Sequence, residues 1–230
     1  MYGVIELTHI IRWIIYISLP ILVLFFAYLF ITRAFKYMGF SSLEAVVIVF
    51  VSFLFGFDII IFDYNISNIY LLSYGNWNLW INMGGAIIPI LISIYLSYGK
   101  KIPLKKIFIA IIIVTIVAFF VTRPVENKGI VASFPFAFLP AIFASILSII
   151  LCWKEFKKAA PLAYISGTIG VLIGADFLHL WELLNIPISK QSNAVIGGAD
   201  VFDMVFFTGI IAVMFDGFIM FRQRKKEGFS

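Results

Sequence analysis

Residues 104–121 read LKKIFIAIIIVTIVAFFV, an apolar run interrupted only by two lysines near its start and by Thr115. An α-helix needs about 20 residues of this kind to cross the hydrocarbon core of a bilayer. The whole chain has the same character, because 63% of its 230 residues are apolar and only 13% are charged. A soluble domain has about 45–50% apolar and about 25% charged residues. The composition therefore predicts an integral membrane protein, and it excludes a soluble enzyme and a disordered chain.

Six further segments are similar to residues 104–121 in hydropathy and approximate length. The sequence therefore predicts an all-α, polytopic bundle of about seven transmembrane helices, which forms a single domain over residues 1–230. The predicted spans are Trp13–Thr32, Leu43–Phe62, Met83–Tyr98, Leu104–Val121, Phe136–Trp153, Pro161–Leu184 and Gly198–Phe221.

The basic residues predict the orientation of this bundle. If the loops alternate between two sides, 13 of the 17 Lys and Arg residues lie on one side. The other four are Arg12, Arg123, Lys128 and Lys190. Cytoplasmic loops are enriched in Lys and Arg. We therefore expect a multi-pass protein of the cell membrane with its N-terminus outside and its C-terminus in the cytoplasm.

Residues 63–80 connect the second and third spans and read DYNISNIYLLSYGNWNLW. The segment contains no basic residue, and its Tyr and Trp side chains suit the headgroup region of a bilayer. This pattern predicts an interfacial helix or a re-entrant segment at the outer surface. A lid over an outward-facing site is the functional alternative.

Several classes of ligand are not indicated. The chain has one cysteine, Cys152, and no HExxH or comparable spacing, so the sequence predicts neither an internal disulfide nor a metal site. No basic stripe with interleaved aromatic residues is present, which argues against nucleic-acid binding. No cofactor is expected. The predicted partners are the lipid bilayer and either a transmembrane-helix substrate or a small ion, and the oligomeric state is not indicated.

Acidic residues inside apolar spans are the candidate functional groups, because a charge at the centre of a membrane helix costs about 2.5–3.5 kcal/mol. Asp176 lies about eight residues before the outer end of the sixth span, and Asp203 lies about five residues after the start of the seventh. At 1.5 Å per residue, the two carboxyls fall at similar depth on adjacent antiparallel helices. Two such carboxyls share one proton, the state that activates water for peptide hydrolysis. This predicts an intramembrane aspartyl protease, with Asp200 as the substitute partner.

A second hypothesis uses the same carboxylates in a proton- or cation-coupled transporter. Gly-rich breaks near polar residues are how transporters build binding sites from discontinuous helices. His179 lies about 60° around the helix from Asp176, close enough to interact with it. The candidate substrate- or ion-binding residues are His179, Glu182, Asn82, Gly174, Gly197 and Gly198.

Two further alternatives stay open. Asp200 and Asp203 are also suitable as helix caps in the headgroup zone. Ser166, Gly170 and Gly174 form a small-residue stripe that lets helices approach closely, which is an ordinary packing feature of membrane helices. The chain is then a non-catalytic subunit of a membrane complex or a lipid-binding scaffold.

Four motifs carry a resemblance to a known family. They are Asn82–Pro89 (NMGGAIIP), Ala163–Gly170 (AYISGTIG), Ile173–Asp176 (IGAD) and Gly197–Asp203 (GGADVFD). They resemble the signature of an uncharacterised prokaryotic membrane family, domain of unknown function 1614, from about Arg33 to the last span. The resemblance implies a polytopic membrane protein of unassigned activity.

A weaker resemblance is to the GxGD intramembrane aspartyl proteases, which carry one Asp on each of two adjacent helices. Here Gly197-Gly198-Ala199-Asp200 is similar to the second of their motifs. The chain departs from that family at Ala199, which replaces a glycine, and at Ala175, which precedes Asp176 where a tyrosine is expected. No Pro-Ala-Leu motif follows the last span. The resemblance implies a catalytic aspartate pair.

Overall fold

A computed structural model describes residues 2–62, 64–126, 129–198 and 204–226. The protein is mostly helical. Its α-helices are α1 (Tyr2–Met38), α2 (Ser42–Leu54), α3 (Ile88–Gly99), α4 (Leu104–Val121), α5 (Leu139–Leu151), α6 (Ala159–Val171), α7 (Leu178–Leu184) and α8 (Met204–Lys226). Short 3₁₀ turns at Phe136–Phe138 and Phe156–Lys158 precede α5 and α6.

Two π-helical stretches interrupt the helices. The first π segment, Met83–Ile87, leads directly into α3. The second π segment, Leu172–Phe177, joins α6 to α7, so that Ala159–Leu184 forms one long helix with a break inside it. π-Helical turns are rare in proteins and are frequently found at functional sites.

In the described part of the chain, three helices are long and apolar enough to cross a membrane: Tyr16–Met38, Leu104–Val121 and Ala159–Leu184. Four shorter apolar helices are Ser42–Leu54, Met83–Gly99, Phe136–Leu151 and Thr208–Phe218. Each of these seven helices overlaps one predicted span. The helix Leu104–Val121 has the same first and last residue as the fourth predicted span. The second predicted span is too long at its C-terminal end, because α2 stops at Leu54 and the chain turns there into a hairpin.

The connections between helices gather at two opposite ends. At one end, the Lys106 Nζ atom lies 3.1 Å from Glu155 Oε2, which joins the first turn of α4 to the α5–α6 connection. The Lys100 side chain covers Gly39 in the α1–α2 connection at the same end. We call this the lysine end. The opposite end carries the β-strands and is called the sheet end.

The prediction of an interfacial helix or re-entrant segment between the second and third spans is wrong for the described residues 64–80. They form strands. The main sheet has the order β3–β4–β7, with β3 (Asn68–Tyr74) antiparallel to β4 (Trp77–Asn82) and β7 (Ser192–Ile196) parallel to β4. The fold is therefore mostly helical but not all-α. Two small hairpins also form, β1–β2 (Ile60–Ile61, Tyr64–Asn65) and β5–β6 (Thr122–Val125, Gly129–Ala132).

A two-residue turn explains the sheet. Tyr74 pairs with Trp77 across Gly75 and Asn76, and Gly75 has φ +57°. Glycine adopts this backbone conformation at little cost, and such two-residue turns match the twist of antiparallel strands. The flanking Tyr, Trp, Ile and Leu residues favour strands. Trp77 and Leu79 are both 5% exposed, so the inward face of β4 packs onto the bundle.

Helix α6 is the centre of the bundle, because nearly all of its residues are buried. It contacts α3, α4, α5 and α8. The predicted small-residue stripe explains the close approach to α4. A Cβ atom on Gly170 would lie 2.7 Å from Val114 Cβ, and one on Gly174 would collide with the Thr115 carbonyl oxygen. The stripe therefore functions as a packing surface against α4.

Candidate functional site

Asp176 occupies the second π segment, inside the longest interrupted helix of the bundle. Its Oδ2 atom accepts a hydrogen bond of 2.7 Å from the backbone N–H of Gly197, which follows β7. The carboxylate is partly buried. A hydrogen bond from a backbone amide fixes the orientation of a carboxylate. The side chain is thus tied to the residue that follows β7.

Gly197 also contacts the other break in the helices. Its φ is +66°, and a Cβ atom there would lie 2.6 Å from Ala86 Cβ and 2.7 Å from the Ala86 backbone nitrogen. Ala86 belongs to the first π segment. Asp176 of the IGAD motif and Ala86 of the MGGAI motif, which are far apart in the sequence, therefore meet at Gly197. We call this place the π junction, formed by the first π segment, the second π segment and Gly197.

Asn82 connects the first π segment to the sheet end. Its Oδ1 atom accepts a 2.8 Å hydrogen bond from the Gly85 N–H, and its Nδ2 donates to Asn68 Oδ1 at 2.8 Å and to the Phe55 carbonyl at 3.4 Å. Both ends of the amide are engaged within the chain. Asn82 was predicted as a substrate- or ion-binding residue, and the structure places it as the cap that positions Met83–Ile87.

The cap continues into a polar cluster that was not predicted as a site. Asn68 and Asn65 each donate a 2.7 Å hydrogen bond to Asp58 Oδ1. Asn65 Oδ1 in turn accepts from the backbone N–H groups of Ser67 and Asn68. Asn and Asp side chains commonly stabilise turns in this way. The sequence feature that could have indicated this polar cluster is the close spacing of Asn65 and Asn68.

His179 is buried, with 5% exposure, but it does not pair with Asp176. Its Nε2 lies 3.1 Å from the Phe119 carbonyl oxygen, and its Nδ1 lies 3.1 Å from Glu182 Oε2. The imidazole ring also stacks on the Phe119 ring at 4.5 Å between centroids. Both ring nitrogens are used by these partners, so the predicted interaction with Asp176 is not made. His179 instead holds α7 against the C-terminal end of α4.

Of the remaining predicted site residues, two glycines lie in the described part of the chain and two aspartates lie outside it. Gly174 packs against α4, and the Gly198 N–H donates a 3.2 Å hydrogen bond to the Val195 carbonyl at the end of β7. Asp200 and Asp203 lie outside the described residues, so the carboxyl pair with Asp176 stays a prediction. Among the described residues, no group of three or more His, Cys, Asp or Glu side chains is arranged to hold a metal ion.

A family model described as Protein of unknown function (DUF1614) matches residues 40–215. The chain belongs to this family. The predicted resemblance is therefore confirmed, and the matched range includes Asp176 and both π segments but begins after α1. No curated protein and no solved structure matches the chain, so the weaker resemblance to GxGD proteases has no support.

Proposed function

We propose that this DUF1614 protein crosses the cell membrane seven times, with its N-terminus outside and the lysine end in the cytoplasm. The seven apolar helices and the alternation of their connections support this topology. The outward face of α4 supports it as well, because Phe108, Ile112, Ile116 and Phe120 follow one another at every fourth residue and are 51–79% exposed. An apolar stripe of this kind is stable when lipid covers it. Positive residues at the lysine end favour the cytoplasmic side.

We further propose that Asp176 carries a proton or a small monovalent cation in membrane transport. The observation that carries the proposal is the environment of its carboxylate. It lies in the break of a membrane-length helix, accepts one backbone N–H, and has no Lys or Arg at ion-pair distance within the described part of the chain. A carboxylate in such a place requires charge compensation, which a bound proton or cation supplies.

The π junction supports transport rather than a purely structural role. In membrane proteins, irregular backbone is tolerated where it is buried in protein or lines a cavity. Two interrupted helices that meet beside an acidic residue are a recurrent way of building an ion site near the middle of a bundle. The contact of Gly197 with both interruptions gives a route by which ion binding at Asp176 can alter the packing of α3 against the rest of the bundle.

Proteoliposomes with an internal dye that responds to protons, Na⁺ or K⁺, one dye for each gradient, test this proposal. The wild-type protein is expected to show flux driven by a proton, Na⁺ or K⁺ gradient, and Asp176→Asn is expected to abolish it. Glu126→Gln is the matched control, because Glu126 is an exposed acid in the β5–β6 turn with no hydrogen bond from its side chain among the described residues. Absence of flux in the wild type under all three gradients overturns the transport proposal.

The same variants separate the other hypotheses. The intramembrane protease requires a second carboxyl from Asp200 or Asp203 and stays a prediction. If the wild type cleaves a transmembrane-helix substrate, and Asp176→Asn and Asp203→Asn each abolish cleavage without unfolding, the protease replaces transport. If neither flux nor cleavage is found and Asp176→Asn behaves as wild type in every assay, the protein is a non-catalytic subunit or scaffold.

A further inference from the structure

The outward face of the main sheet carries uncharged polar side chains beside aromatic rings. Side chains alternate across a strand, so the residues of β4 that face away from the bundle are Asn78 and Trp80. The register places Ser73 and Tyr70 of β3 beside them on one side and Asn193 of β7 on the other. We call these five residues the platform. They include amides, a hydroxyl and two aromatic rings, and none carries a charge.

A continuous hydrogen-bond network fixes the platform across all three strands. The Tyr70 hydroxyl and Ser73 Oγ are 2.8 Å apart, and Ser73 Oγ donates to Asn78 Oδ1 at 2.7 Å. Asn78 Nδ2 and Trp80 Nε1 both approach Asn193 Oδ1, at 3.4 and 3.3 Å. Groups held in this way lose little conformational freedom when a ligand binds, which improves affinity.

The two aromatic rings leave surface available for a ligand. The Tyr70 and Trp80 centroids are 5.2 Å apart with an interplanar angle of 72°, an edge-to-face contact that sets their orientation. Tyr70 is 50% exposed. Because the polar atom of each ring is bonded within the network, the accessible part of each ring is apolar surface. The platform thus offers aromatic surface beside polar groups.

The amides retain unused hydrogen-bonding capacity. Asn193 is exposed and its Oδ1 is occupied, while its Nδ2 hydrogens have no partner among the described residues. Gln191 lies beside the platform, and its Nε2 donates to Asn78 Oδ1 at 3.2 Å, which leaves its own carbonyl oxygen without a partner in the described part of the chain. The face therefore presents both donors and acceptors at fixed positions.

We propose that the platform binds a neutral oligosaccharide. Sugar hydroxyls both donate and accept hydrogen bonds, which matches the free amide groups, and the C–H surface of a pyranose ring matches the apolar faces of Tyr70 and Trp80. A phosphate or carboxylate ligand would be expected to meet Arg or Lys side chains, and the platform residues include neither. On β4 and β7 the inward face is buried and supports the fold, so recognition by these two strands is confined to the outward face.

Binding is measured with the full-length protein in lauryldimethylamine oxide, a detergent without a sugar headgroup. Cellotriose and chitotriose are the neutral probes, and trigalacturonate and inorganic phosphate are the anionic controls. Each is titrated to about 10 mM by calorimetry and tryptophan fluorescence. At least one neutral trisaccharide is expected to bind. Trp80→Ala and Tyr70→Ala are each expected to weaken it about tenfold, the loss of one stacking contact.

Trp13→Ala is the matched control, because Trp13 is 65% exposed on α1 and does not belong to the sheet. Trp80→Phe keeps an aromatic surface and is expected to retain most of the binding, which distinguishes a lost ligand contact from a misfolded sheet. The proposal is overturned if neither neutral probe binds, if the anions bind equally well, or if Trp13→Ala and Trp80→Ala have the same effect. It is also overturned if phospholipids with a headgroup nitroxide quench Trp80 in bilayers, which would place the platform among lipid headgroups. None of these results depends on Asp176 or on transport.

Discussion

The two π segments differ in how the chain satisfies their polar groups. The first, Met83–Ile87, begins at the end of a strand and is capped by Asn82, and its glycines and alanine are buried. The second, Leu172–Phe177, lies inside a continuous helix, has no side-chain cap and carries a carboxylate. Both contain a Gly-Ala pair, yet only the second contains a group that requires charge compensation. The same backbone irregularity thus connects a strand to a helix in the first segment and forms a candidate ion site in the second.

This difference predicts opposite consequences of mutation. Residues around the first π segment are expected to affect stability, because their hydrogen bonds are closed within the chain. Asp176 in the second is expected to affect activity with little change in stability. Gly197 touches both segments and is expected to be the most sensitive position of the π junction.

Gly197→Ala is expected to have the largest effect on stability. The added Cβ meets the Ala86 backbone at a positive φ, so the free energy of unfolding should fall by about 3 kcal/mol, from overpacking and from the backbone conformation. Gly75→Ala is the matched control, because Gly75 also has positive φ but open space around its Cβ, and it should cost about 1 kcal/mol. Thermal unfolding in detergent measures both. Equal losses would show that Gly197 does not hold the two π segments together.

Asn82→Ala and Asp176→Asn test the comparison directly. Removing the buried Asn82 amide takes away the hydrogen-bond partner of the Gly85 N–H and of the Asn68 Oδ1 atom, which should cost about 2 kcal/mol. The Asp176→Asn side chain keeps an oxygen that accepts the Gly197 N–H. The free energy of unfolding of this variant should therefore differ from that of the wild type by less than about 1 kcal/mol. Denaturant unfolding in micelles measures both variants. A larger loss for Asp176→Asn than for Asn82→Ala would reverse the assignment of the two segments.

His179→Ala should destabilise the end of the interrupted helix that follows the second π segment. It removes the hydrogen bond to the Phe119 carbonyl and the stacking on that ring, at a cost of about 1.5–2 kcal/mol. Glu182→Gln is the control and should change stability by less than about 0.5 kcal/mol, because the Glu182 side chain is 64% exposed. Hydrogen exchange of α7 amides measures the local effect. Unchanged exchange in His179→Ala would show that this contact does not anchor α7.

The smallest effect is expected at the lysine end, far from both π segments. Hydrogen bonds from Lys158 and then Lys106 hold the pKa of the exposed Glu155 below its ordinary value of 4.5. A carboxyl whose pKa is lowered by folding stabilises the fold at pH values above its pKa in the unfolded state. This contribution disappears as the pH falls through its pKa in the folded state. The difference in melting temperature between wild type and Glu155→Gln should be less than about 1 °C at pH 7 and should shrink as the pH falls below 4.5. A difference that grows as the pH falls would contradict this sign.

Hydropathy located the helices well because the apolar character of a segment depends only on its local composition. Residues 104–121 were predicted as a span and form α4 with the same bounds, since Pro103 precedes the run and Thr122 begins a strand. The sheet was not predicted, although Gly75-Asn76 between aromatic and aliphatic residues is a hairpin signal. Tyr and Trp favour both strands and the headgroup zone, so residue type alone did not distinguish the two.

The candidate site was predicted in part. Asp176 and Gly197 were both named from the sequence, but their contact was not, because the donor is a backbone N–H that every non-proline residue possesses. His179 was expected near Asp176 from its helical spacing, yet Phe119, 60 residues away in sequence, takes one of its nitrogens. The platform was not foreseen, because its members come from three strands that the sequence does not reveal as neighbours.

The amino-acid sequence by itself determined the mostly helical character of the chain, the position of the apolar helices, the uneven distribution of lysines and the family. These properties follow from the composition of contiguous segments, which can be read without knowing what each segment touches. Only the tertiary structure decided which groups form hydrogen bonds with Asp176, Asn82 and His179. It also decided that β7 pairs with β4. Those outcomes depend on contacts between residues far apart in the chain, where many donors and acceptors are chemically equivalent and only packing selects among them.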